Sequence, residues 1–67
     1  MTYTREPRHV FVDFNMTEPD GRYPSLAGGF VGERVVADDG EGTTCPAIID
    51  ELVPDKSLVF IRLGGWT

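Results

Sequence analysis

The side chains of this 67-residue chain best suited to acid–base, thiol or metal chemistry are one histidine, one cysteine and eleven carboxylates. General acid–base work needs two groups whose environments push their pKa values apart. Asp38-Asp39 and Asp50-Glu51 are adjacent in sequence, so in strands each pair divides between opposite faces and forms no dyad. His9 is of the right type for a general base, but no serine or cysteine stands at a spacing that pairs it with a nucleophile. Cys45 lies between Thr44 and Pro46 with no Lys, Arg or His nearby to lower its pKa, and reads as a half-buried strand residue. One His and one Cys do not make a structural zinc site. Asp13, Asn15, Glu18 and Asp20 supply oxygen ligands without the glycine-at-six, glutamate-at-twelve frame of an EF-hand loop. Asp39-Gly40-Glu41-Gly42 lacks the Lys and Ser/Thr of a phosphate-binding loop, and its charge repels phosphate. No catalytic residue, metal or cofactor is expected.

Charge narrows the partners. Six basic residues stand against eleven acidic ones, for a net charge of −5, so free nucleic acid is repelled and no nucleic-acid partner is expected. The one basic cluster, Arg5, Arg8 and His9, reads as part of a solvated N-terminal arm over 1–8. A single cysteine rules out an internal disulfide framework and favours a reducing compartment. No apolar segment has the length of a signal peptide core or a membrane span, which makes a cytoplasmic protein the expectation and leaves the Asn15-Met16-Thr17 sequon as chance.

The elements that must position these residues are short. A 40% hydrophobic, 25% charged chain is globular in composition, and 8 glycines with 5 prolines make much of it turn. One domain over 1–67 is the ceiling, because a chain this small buries about 60% of its unfolded surface and its core supplies roughly 3–5 kcal/mol. Over 9–16, Val10, Val12, Phe14 and Met16 alternate with His9, Phe11, Asp13 and Asn15, which predicts a half-buried strand. Thr17-Glu18-Pro19-Asp20-Gly21 is a turn signal, and 22–26 is the expected return arm of a hairpin, confined to a sheet edge by Pro24. Further strands are predicted over 33–38, with Val35 and Ala37 on one face, over 44–52 and over 58–63. In the second of these, Pro46 calls for an edge position or a bulge near the start, and the pair Ile48-Ile49 for burial on both faces or a local kink. The turns at 39–42 and 54–57 have the spacing of an antiparallel meander. About five antiparallel strands and no helical period point to an all-β small barrel, since closure removes exposed edges.

From Val31-Gly32-Glu33-Arg34-Val35-Val36-Ala37 through the acidic glycine turn, the small-and-apolar strand, the Asp55-Lys56 turn and the final apolar strand, 31–63 resembles SH3-like small barrels of the KOW and Tudor type. The resemblance covers about half of the chain. It implies that Gly32, Val35 and Ala37 open the barrel and that Ala47, Ile49, Val59 and Ile61 point inward. Since KOW-type barrels contact RNA or ribosomal partners, it also implies a nucleic-acid-associated or nucleic-acid-mimicking protein as the alternative function. Val12-Asp13-Phe14-Asn15 with Asp20-Gly21-Arg22 resembles a kind of short actinobacterial protein in which such a hairpin precedes a barrel-like half, a resemblance that implies no activity. The hairpin either closes the barrel or forms a flap over it.

The aromatic residues are the candidates for binding. Phe11, Tyr23, Phe30 and Trp66 fall in loops or on the strand face opposite the core, and interfaces favour such anchors. Phe30 and Trp66 are equally suited to plugging barrel ends, whereas Phe11 makes its strand apolar on both faces and calls for a cover. The expected function is a small acidic protein-interaction module without catalytic activity, acting on a protein partner or by self-association as an oligomer.

Overall fold

The computed structural model describes residues 7–66. Five strands, β1 (His9–Phe11), β2 (Tyr23–Ser25), β3 (Arg34–Asp38), β4 (Thr44–Val53) and β5 (Leu58–Leu63), form one mixed sheet in the order β1-β3-β4-β5-β2, curled into a half-barrel. The fold is all-β, with one short 3-10 turn at Pro54–Lys56.

The β3-β4-β5 meander follows from its turns. Asp39 Oδ1 accepts the N–H groups of Glu41 (2.8 Å) and Thr43 (3.1 Å), and Asp38 Oδ1 accepts that of Gly40 (2.8 Å), so the side chains at the end of β3 fold the loop back onto β4. Pro54 starts the second turn with its φ preset, and Ser57 closes it in the left-handed region at φ 50°. Alternation along the strands then turns Val35, Ala37, Ala47, Ile49, Val59 and Ile61 inward, the last four as the SH3-like resemblance implies, and Val10 and Val12 complete a fully buried aliphatic core. β4 lies between β3 and β5 rather than at an edge, and its irregularity falls past Ile49 rather than at Pro46. Register runs Ile49↔Ile61 and then Glu51↔Phe60, leaving Asp50 as the bulge residue.

β1 and β2 depart from the expected hairpin. β1 pairs in parallel with β3 and β2 pairs antiparallel with β5, so the two strands are opposite edges of the sheet and share no ladder. Proline and register give the reason. Gly64 N–H donates to Pro46 O at 2.7 Å, which sets the alternation along β5 so that Val59 and Ile61 turn their backbone groups toward β2. These residues lie opposite Ser25 and Tyr23, so Pro24 sits where no bond to β5 is due and its missing N–H faces the other way. A ladder from β2 to β1 would therefore lack its central donor. β1 instead bonds β3, with Val36 N–H donating to Arg8 O (2.9 Å) and Val12 N–H to Asp38 O (3.0 Å).

The two edges still meet across a seam, held by side chains. Ser25 Oγ, buried, donates to Phe11 O at 2.7 Å, and the Arg8 guanidinium donates to Ala27 O (3.2 Å) and Gly28 O (2.6 Å) while bridging Glu33. The 9–26 segment thus supplies both edge strands of the half-barrel rather than a flap. Arg8 belongs to this anchor and not to a solvated arm; Arg5 and the rest of 1–6 lie outside the described residues. Gly29 makes the anchor possible. At φ +135° its Cα lies so close to the Arg8 guanidinium, the Glu33 carboxylate and Ile49 Cδ1 that a Cβ there would overlap all three.

Candidate seam groove

An open groove of about 620 Å³ runs along the outside of the seam. Of its lining residues Val10 and Ser25 are buried, and Phe11, Met16, Leu26 and Leu58 are among the apolar ones. Three of these are large apolar side chains left to solvent: Phe11 is 66% exposed, Met16 59% and Leu26 78%. Backbone groups contribute too. Since Arg8, Val10 and Val12 turn theirs to β3, strand alternation points those of His9 and Phe11 into the seam, where the Phe11 carbonyl takes the Ser25 hydroxyl.

Beyond the Phe11 ring lies a second, more polar hollow of about 270 Å³, bounded by Asp13, Asn15, Asp39 and Glu41. The ring rests against the 39–42 turn, close enough that a Cβ on Gly40 would stand 3.6 Å from its Cε1. Phe11 and Asp13 border both hollows, so one aromatic ring separates an apolar groove from an acidic one.

The four aromatic candidates are not brought together. Phe11 lines the groove and is exposed as its outward position predicts, and Phe30 is exposed in the loop before β3. Tyr23 is half-buried against the core, edge-on to Phe14 with ring centroids 5.5 Å apart. Trp66 is half-buried and donates through Nε1 to Ala47 O at 2.7 Å, which anchors the chain just past β5. Met16 and Leu26 are the groove residues that sequence reasoning does not single out. Alternation places Met16 on the core face, but the chain turns there, with Met16 N–H donating to Asp13 O (2.9 Å), and the side chain swings out. Leu26 gives a signal only as the apolar end of the 22–26 segment.

The titratable groups have mostly structural partners. His9 Nδ1 and Asp38 Oδ2 are 2.7 Å apart, which makes Nδ1 the protonated nitrogen because a carboxylate only accepts. Asp38 is held below the ordinary carboxylate range by that bond and by the Gly40 N–H. His9, Asp13 and Ser25 line the same groove, yet Asp13 accepts the Asn15 N–H (2.9 Å) and the Ser25 hydroxyl is given to Phe11 O. Cys45 is remote from the groove lining, in β4 opposite Ala37, with its Sγ 3.5 Å from Pro46 O. Asp50 and Glu51 do not divide between faces as adjacency predicts. The bulge lets both reach Arg22 Nη1, at 3.3 and 2.9 Å. Arg22 also donates to Asp20 (2.7 Å) and lies 4.9 Å above the Phe60 ring, and its hydrogen bonds to Glu51 and Asp20 raise its pKa. Asp20 is lowered in return by the backbone and side chain of Arg22, so Asp20, like Asp13, is turned to the chain's own donors. Among the described residues no three His, Cys, Asp or Glu side chains stand together as metal ligands, and no helix is long and apolar enough to cross a membrane.

Comparison with protein-family models, curated proteins and solved structures finds no match to this chain.

Proposed function

We propose that the protein is a small acidic protein-interaction module of the SH3-like, KOW or Tudor kind, without catalytic activity of its own, which takes up an apolar element of a protein partner in the seam groove. The exposure of Phe11, Met16 and Leu26 around one groove carries the reading, because clustered apolar side chains left to water mark interaction surfaces where scattered ones do not. Burying such a side chain fully contributes about 1.5–3 kcal/mol. Three of them offset much of the roughly 4–15 kcal/mol lost in association. The single free thiol, Cys45, fits a reducing, cytoplasmic setting.

Nucleic acid is the less favoured partner. Arg8, Arg22 and Arg62 each face a carboxylate, at 2.8, 2.7 and 3.9 Å, so their charge is already countered within the chain. Affinity capture from cell extract with the wild type and with Phe11→Asp tests the reading, after the amide spectrum of the variant confirms its fold. A protein recovered by the wild type and lost with the folded variant is the expected result. Equal recovery by both, or capture of nucleic acid instead, would overturn it.

A further inference from the structure

Resting on that reading, we infer that the partner element is an extended segment whose apolar side chain fills the seam groove and whose neighbouring Lys or Arg passes over Phe11 into the acidic hollow. The two hollows share Phe11 and Asp13, so a ligand seated in one is directly beside the other. In an extended chain, side chains at i and i+2 point the same way about 7 Å apart, enough to straddle one ring. A cationic stem laid across the exposed Phe11 ring gains a cation–π contact, and its head arrives among Asp13, Asp39 and Glu41. Two of these carboxylates are already oriented. Asp13 and Asp39 each accept turn N–H groups through Oδ1, and a carboxylate has acceptor capacity to spare beyond those bonds. Charge argues against a second copy of this chain as the occupant. Each copy carries a net −5, and docking one on this face would bring acidic surface against acidic surface.

A random nonapeptide library displayed on phage, selected against the full chain, tests this directly. The expected pool is enriched in Lys or Arg two residues from an aliphatic or aromatic side chain. A synthetic peptide from that pool is expected to shift the amides of His9, Phe11 and Leu26, to bind about tenfold more weakly to an Asp13→Asn/Glu41→Gln double variant, and to lose affinity in high salt. The carboxamide oxygen that Asp13→Asn introduces still accepts the Asn15 N–H, so this variant keeps the loop. A neutral or acidic pool that still maps to the groove would overturn the cationic inference and leave the interaction module standing. No enrichment would overturn both. A concentration-dependent dimer burying Phe11 in sedimentation would replace the cationic segment with a second copy.

Discussion

The β3-β4-β5 meander and the 7–26 segment build one half-barrel by different means. In the meander, consecutive strands are joined by turns of a few residues and paired along their length, so backbone hydrogen bonds and local turn chemistry hold it. The 7–26 segment contributes two strands of three residues each, at opposite edges of the sheet, and its seam is closed by Ser25, Arg8 and Glu33 side chains. A region held by ladders presents little to a partner. A region held by a few side chains leaves backbone groups and apolar surface along its join, and that is where the groove lies.

The largest effect expected tests whether the two regions share one core. Ile49 is fully buried at the centre of β4, and Ile49→Ala should cost about 2–5 kcal/mol, comparable with the whole stability of so small a domain. Urea denaturation followed by amide exchange should show both regions lost together; protection surviving in β1 would separate them. Gly29→Ala comes next, with an expected loss of about 1–3 kcal/mol, because the substitution combines a left-handed backbone with overlap on Arg8, Glu33 and Ile49. Its exchange pattern should open the seam before the meander.

Ser25→Ala sharpens the contrast further. It leaves the Phe11 carbonyl without its hydroxyl donor and should cost about 1 kcal/mol, with faster exchange confined to 9–12 and 23–25. Uniformly faster exchange across β3-β5 would show that the seam supports the meander too. The smallest effect is the pH dependence. Glu33 is depressed chiefly by its hydrogen bond from Arg8, and Asp38 by that from His9. Depressed carboxylates stabilise the fold above their unfolded pKa values, near 4, and that contribution is lost as pH falls through the lower folded values. Acid titration should therefore loosen the Arg8 anchor and the β1-β3 edge below about pH 4, and Glu33→Gln should remove the Arg8 part of that dependence.

Both acidic pairs show how far spacing can be read. Asp38 ends β3 and Asp39 stands in the turn beyond it, and both accept N–H groups of that turn, while Asp38 alone also meets His9. Asp50 and Glu51 converge on Arg22, because one unpaired residue in β4 cancels the alternation on which the argument rests. The bulge was legible as a region of conflict around Pro46 and Ile48-Ile49, but its register depends on what β5 presents across the ladder.

The sequence by itself determined what is local: the all-β class, the turns at 39–42 and 54–57, the edge position of the Pro24 strand and the inward faces of Val10, Val12, Val35 and Ala37. These follow from a period of two and from the conformational limits of Pro and Gly, which act within a few residues. Only the tertiary structure decided that β1 joins β3 in parallel, that Arg8 and Ser25 close the seam and that Phe11, Met16 and Leu26 surround a groove. Alternation states which face of a strand is buried and says nothing of which strand lies beside it, because that choice is made between backbone groups far apart in the chain.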